Sequence, residues 1–164
     1  MSEQSVSFQA SSLRDQLRSL IEAMEGVIDM GITACVMGEE RMAGYWELLR
    51  RYTNNVQSQL QWTVDGVKRL NMASCAEVDV SQQIHDLSST VQAFLQGFNS
   101  LMRHRIIDNS TLTDAILMLR SGWGQTCQVV DVIISDYHLG DLPVRSEYHQ
   151  RILDTLSVDL FKQE

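Results

Sequence analysis

The sequence predicts an all-α fold, an antiparallel bundle of four to five helices that includes one long helix. Apolar residues make up 44% of the 164 residues, and proline occurs only once. Apolar residues also recur at alternating spacings of four and three, which is typical of helices packed side by side. A β-sandwich of this length would need many Gly/Pro turns. We expect residues 1–164 to form a single domain with one core.

The first predicted helix begins near Ser12. Residues 1–11 are small and polar and are expected to fray, whereas Ser12 can act as an N-cap with Asp15 three residues later. An apolar stripe then continues at helical spacing to Ile28. Gly31 and Gly38 predict that this helix ends or kinks between them.

The second predicted helix, from about Glu39 to Leu70, is the long one. At about 1.5 Å per residue it would measure ~48 Å, which is longer than a bundle of this size needs. We therefore expect its exposed end to contact a second copy of the chain, so that the protein forms a dimer. Its apolar positions keep the heptad spacing and are Met42, Trp46, Leu49, Val56, Leu60, Val67 and Leu70.

Three more helices are predicted, separated by polar turns at residues 71–77 and 108–110. The third runs over residues 80–101, the fourth starts at Ser110 or Thr111, and Gly140 to Pro143 closes it. The fifth covers residues 145–161, with the stripe Tyr148, Ile152, Leu156 and Leu160. Two glycines flank Trp123 inside the fourth helix, which predicts a kink or the close approach of a neighbouring backbone.

Charge and cysteine usage narrow the class of protein. Thirteen Lys and Arg against 21 Asp and Glu give a net charge of −8, which disfavours a nucleic-acid partner because phosphate neutralisation needs clustered cations. The three cysteines contain no CxxC pair and are unlike a disulfide framework. The N-terminal residues lack a basic segment followed by an apolar run, so we expect that they are not a signal peptide, and no apolar run reaches the ~18 residues of a membrane span. We expect a cytoplasmic protein.

No residue pattern predicts catalysis. The histidines form no Glu-x-x-His pair, and no Cys/His cluster has the spacing of a zinc site, so no metal is expected. The sequence lacks G-x-S-x-G, a Gly-rich phosphate loop and G-x-G-x-x-G. Neither an enzymatic activity nor a cofactor is predicted.

One histidine lies in a more specific context. The segment His85-Asp86-Leu87-Ser88-Ser89-Thr90 resembles the phosphoacceptor box of histidine-kinase dimerisation domains. The resemblance implies that His85 accepts a phosphoryl group, that Asp86 orients the imidazole, and that Ser89 positions water. A helical hairpin is also expected around this segment.

Residues 39–103 resemble the core of the phasin family, the proteins that coat polyhydroxyalkanoate granules. The resemblance rests on the amphipathic segment RMAGYWELLRRYTNNVQSQLQWTVDGVKRL, the acid-containing break ASCAEVDVSQQ, and a second amphipathic segment, IHDLSSTVQAFLQGFNSLM. It implies a non-enzymatic protein whose helices contact a hydrophobic granule surface.

We therefore predict a non-enzymatic interaction protein that presents amphipathic helices to a partner. The partner is the chain itself, another protein or a hydrophobic granule surface, and the eight methionines fit an adaptable apolar surface. The side chains expected to contact it are Trp46, Leu49, Leu60, Phe94, Phe98 and Trp123. The alternative is a signalling module with His85 as its phosphoacceptor.

Overall fold

A computed structural model describes residues 3–36, 39–74, 77–104, 109–140 and 147–162. Across these ranges the chain forms five α-helices and no strand, which confirms the predicted all-α bundle. The helices are α1 (Glu3–Val36), α2 (Glu39–Ser74), α3 (Val80–His104), α4 (Asn109–Asp136) and α5 (Tyr148–Lys162). Residues 105–108 and 141–146, which carry part of two predicted turns, lie outside the described residues.

Two antiparallel helical hairpins make up most of the bundle. α1 packs along α2, α3 packs along α4, and α5 packs on the outside of α4. In the first hairpin, Gly26 lies against the ring of Tyr52 and Gly66 lies against Gln16. Later positions of α1 thus meet earlier positions of α2, so the two helices run in opposite directions.

The first helix begins at Glu3, so the N-cap predicted at Ser12 is wrong. Val6 and Ala10 are partly buried against the core and extend the stripe of Leu13 and Leu17 backwards with the same spacing. The helix forms there because its first turns have an apolar stripe to bury and contain neither glycine nor proline.

α1 also runs through Gly31, which was predicted as a boundary. A Cβ at Gly31 would lie 3.0 Å from the Phe98 ring of α3, so the glycine leaves room for that ring. The hairpins are therefore in close contact at this level of the bundle.

The long α2 is matched by its neighbour. α1 contains 34 residues and α2 contains 36, and the two helices pack along each other. Burial of this stripe begins at Leu49 and continues to Leu70, and the helix itself extends past the turn predicted at Asn71. The length of α2, from which the dimer was predicted, is explained within one chain. Met42 and Cys75 lie outside the described side chains.

The ends of α3 and α4 have side-chain and backbone caps. Asp79 Oδ1 accepts a hydrogen bond from the Gln82 amide (3.0 Å), as an N-cap residue does. At the end of α4, His138 adopts φ 54°. The His138 amide donates a hydrogen bond to the Ser135 carbonyl, and the Leu139 amide donates one to the Ile134 carbonyl. These two bonds form a Schellman motif. α4 therefore closes before the predicted Gly140–Pro143 segment.

The buried face of α5 differs from the predicted one by a single position. Tyr148 is 59% exposed, whereas His149 and Leu153 are buried. The predicted stripe of Tyr148 and Ile152 is therefore wrong at its start, because His149 occupies the core-facing position. Leu156 and Leu160 lie outside the described side chains.

Candidate functional site

Most of the residues predicted to contact a partner lie in the core. Leu49, Leu60, Phe94, Phe98 and Trp123 are all buried, with exposed fractions of 6% or less. The expectation that they form a surface is corrected for the closed bundle, because the two hairpins bury these side chains against each other. Of the six predicted residues, Trp46 is the one that the structure places at the surface, with 44% of its area exposed.

A second exposed tryptophan was missed in the sequence. Trp62 lies on α2, outside the heptad stripe, and is 53% exposed. The sequence could have indicated this exposure, because Trp62 lies between the core residues Leu60 and Thr63 and therefore points away from the buried face of the helix. The other large apolar side chains exposed among the described residues are Phe8, Leu48, Met72, Met118, Val132 and Tyr148.

The predicted phosphoacceptor segment lies on the outer face of α3. His85 and Ser89 are both exposed and share one face, because they are four positions apart on a helix. Asp86 is adjacent in sequence and faces a different direction, and its carboxylate accepts a hydrogen bond from Gln82 Nε2 (2.6 Å). The role of Asp86 toward the imidazole stays a prediction.

A buried histidine, also missed in the sequence, connects α5 to α1. His149 Nε2 lies 2.9 Å from Asp29 Oδ1, and His149 Nδ1 lies 2.7 Å from Glu25 Oε2. The contact with Asp29 has hydrogen-bond geometry, whereas the contact with Glu25 is close but poorly aligned. The imidazole ring also packs against Trp123 of α4, with ring centroids 6.3 Å apart. One side chain thus contacts α1 and α4 at once.

Burial raises the pKa of Glu25 in this cluster. The positive field of His149 acts in the opposite direction, whereas Asp29 and Glu22 raise the pKa further because like charges disfavour ionisation. The carboxyl group therefore holds its proton more tightly than an exposed glutamate. His149, Glu25 and Asp29 thus form one cluster of ionisable side chains between α5 and α1.

A polar network joins three helices near the ends of α2 and α4. Tyr137 donates a hydrogen bond to Gln83 Oε1 (2.9 Å) and accepts one from Asn71 Nδ2 (3.1 Å). Gln83 Nε2 in turn donates to Asp136 Oδ2 (2.7 Å). Burial raises the pKa of Tyr137, so its phenol keeps the proton that it donates. This network fixes the register of α2, α3 and α4.

A shallow groove of about 370 Å³ lies between α4 and α5. Beside it, Arg120 pairs with Asp154 (2.6 Å), which Gln150 also contacts (3.0 Å). The pair is about half exposed and contributes little to stability in water. The groove is lined by Leu117, Arg120, Ser121, Gly124, Gln125, Gln128 and Gln150. The polar groups of its walls are the hydroxyl of Ser121, three side-chain amides and the paired guanidinium of Arg120.

The described part of the chain contains no group of three side chains able to hold a metal ion. None of its helices has an apolar stretch long enough to cross a membrane. Comparisons with protein-family models, curated proteins and solved structures return no match to this chain.

Proposed function

We propose that this chain is a non-enzymatic helical interaction protein that binds another protein through exposed aromatic side chains of α2. The observation that carries the proposal is the exposure of Trp62, which is 53% accessible on a well-formed helix. Tryptophan has a large apolar area, and it is enriched among the side chains that dominate the energy of protein interfaces.

Trp46 supports the proposal from the same helix. It is 44% exposed and lies about 24 Å from Trp62 along the helix axis, at about 1.5 Å per residue. The two tryptophans point to different sides of α2, so a partner would contact one of them as its main anchor. Trp62 is the stronger candidate because more of its area is accessible.

Photo-crosslinking tests this proposal in the native cell. A photoreactive phenylalanine at position 62 should crosslink a discrete protein, whereas the same group at the exposed polar position Asn55 should not. The identified partner is then purified and titrated with the wild type, Trp62→Ala and Met118→Ala. Met118 is the matched control, because it is exposed and apolar but lies on the other hairpin.

We expect Trp62→Ala to weaken binding by about thirtyfold, which corresponds to the ~2 kcal/mol of an interface hot spot. Met118→Ala should leave the affinity nearly unchanged. Equal effects of the two substitutions, with both variants folded, would reject Trp62 as the anchor.

The granule surface and a second copy of the chain are the other partners that the proposal allows. A granule would need the apolar stripes of the hairpins, which are buried in the closed bundle, so adsorption should accompany opening. Adsorption to polymer particles with a red shift in Trp123 emission would favour the granule. A mass of two chains in light scattering would favour self-association.

A phosphotransfer role for His85 is the second candidate. Its support is the exposure of His85 and Ser89 on one face of α3, where a kinase or response-regulator domain could reach the imidazole. Incubation with a labelled phosphodonor protein tests it. Label that His85→Ala removes and Asp86→Asn retains would favour this function over the interaction protein.

A further inference from the structure

His149 contacts two carboxylates with its two ring nitrogens. Its side chain is 9% exposed, Glu25 is 19% exposed, and Asp29 is 56% exposed. Water therefore reaches Asp29 freely but reaches Glu25 and the imidazole poorly. Because little water reaches the His149–Glu25 pair, the protein itself must stabilise any charge on these two side chains.

The geometry requires a proton on both nitrogen sides of the ring. A neutral imidazole carries one N–H, so one nitrogen would present a lone pair to a carboxylate oxygen. At the 2.7 Å separation of Nδ1 and Glu25 Oε2, that arrangement is repulsive. Either the imidazole is doubly protonated or one of the two carboxyl groups is protonated, and each of these forms binds one proton more than a neutral imidazole beside two carboxylates.

Among the described charged side chains around the His149 ring, none supplies a positive charge in place of that proton. On α1, Glu22, Glu25 and Asp29 are all acidic. On α4, Arg120 is directed to Asp154 of α5. Elsewhere on α5, Arg151 pairs with Glu147 (3.0 Å). The phenol ring of Tyr148 packs edge-on against the His149 ring.

The other described contacts of α5 lie mainly on α4. Leu153 is fully buried, and the exposed pair of Arg120 and Asp154 adds a contact that salt screens. Release of α5 would remove the ring of His149 from Trp123, which is 3% exposed in the docked state. The fluorescence emission of Trp123 should therefore indicate whether α5 is docked.

We infer that His149, Glu25 and Asp29 form a proton-dependent latch that holds α5 on the bundle and releases it as the pH rises. The latch is independent of the partner site on α2. The equilibrium constant for docking of α5 should fall by about tenfold per pH unit for each proton released.

The test uses the full chain with Trp46→Phe and Trp62→Phe, which leaves Trp123 as the emitting tryptophan. We expect Trp123 emission to shift to longer wavelength as the pH is raised. Amide hydrogen exchange, corrected for its intrinsic pH dependence, should accelerate in residues 147–155 while residues 56–70 of α2 stay protected.

Glu25→Gln is the decisive variant. An amide at this position can donate a hydrogen bond to Nδ1 of a neutral imidazole while Nε2–H donates to Asp29, so α5 should stay docked at pH 8. Glu22→Gln is the control, since it removes a charge from the same helix without contacting the ring. It should still release α5, at a lower pH than the wild type because Glu22 raises the pKa of Glu25.

Three results would overturn the latch. Trp123 emission that does not change with pH would do so, as would equal effects of Glu25→Gln and Glu22→Gln. Exchange that accelerates equally in α2 and α5 would show global unfolding in place of the release of one helix.

Discussion

Gly97 of α3 and Gly122 of α4 lie at the same helix crossing, each against the backbone of the opposite helix. A Cβ at Gly97 would lie 2.6 Å from the Leu119 amide nitrogen, and a Cβ at Gly122 would lie 2.6 Å from the Phe94 amide nitrogen. Backbone atoms cannot move aside as the end of a flexible side chain can. This crossing therefore requires glycine on both helices, and the close approach predicted at Gly122 is confirmed.

Gly97→Ala and Gly122→Ala should each lower the free energy of unfolding by about 1–3 kcal/mol, the usual cost of overpacking. Gly44→Ala is the control, because nothing lies within 4 Å of a Cβ at this helical position. It should stabilise the protein by up to ~1 kcal/mol through helix propensity alone. Denaturant titrations measure all three, and a neutral Gly97→Ala would contradict the close crossing.

Phe94→Asp should unfold the protein instead of removing a binding surface. The Phe94 ring is fully buried and packs against Trp123, with ring centroids 6.4 Å apart. Loss of a buried phenylalanine alone costs about 3–5 kcal/mol, and burial of a carboxylate adds to this. Circular dichroism should show reduced helix content, whereas a folded Phe94→Asp chain would indicate that the core is open.

Tyr137→Phe should destabilise the bundle by about 1–3 kcal/mol. It removes the hydroxyl that now bonds the buried Gln83 and the partly buried Asn71. Tyr45→Phe is a suitable comparison, since the Tyr45 hydroxyl lies 3.4 Å from the Met30 carbonyl oxygen and forms a weak bond. Thermal unfolding of both variants measures the difference. A larger effect at Tyr45 would count against the network.

The contribution of Glu25 to stability should decrease as the pH rises. Burial raises its pKa in the folded chain, so folding takes up a proton between the unfolded pKa of about 4.3 and the higher folded pKa. The contribution is complete below the unfolded pKa and is lost as the pH rises through the folded pKa. The free energy of unfolding of the wild type minus that of Glu25→Gln should therefore fall with pH. A difference that increases with pH would disprove the assignment.

His138→Gly should stabilise the end of α4. His138 adopts φ 54° and is exposed, and the left-handed conformation costs a residue with a Cβ about 1–2 kcal/mol relative to glycine. Glycine gains less than this in net stability, because the unfolded chain becomes more flexible. An increase of about 1 kcal/mol in the free energy of unfolding is expected, and a decrease would show that the His138 side chain has a stabilising contact.

The heptad spacing of α2, α3 and α4 was sufficient to predict the helices and most of the core. It could not decide between a core and a partner surface, because burial of Leu49 or Phe98 depends on which helix packs opposite. The start of α1 was missed although Val6 and Ala10 continue the spacing of Leu13. Their small size and polar neighbours made that part of the stripe weak.

The contacts of His149 could not be predicted from local pattern. Spacing alone allowed either Tyr148 or His149 to face the core. The set of His149, Leu153 and Leu156 has heptad spacing, and so does the predicted stripe. Glu25 and Asp29 are one turn apart on α1 and look like exposed charges on a helix. Only the tertiary fold brings them to the imidazole.

The separation of His149 and Asp29 by 120 positions has a consequence for synthesis of the chain. At about 5–20 residues per second, the ribosome takes roughly 6–24 s to add those 120 residues. Both hairpins are built from contacts local in sequence and can form during that interval. Until α5 emerges, Trp123 stays uncovered and the carboxylates of α1 stay hydrated. The nascent protein should therefore pass through a four-helix stage whose surface is more apolar than that of the five-helix bundle.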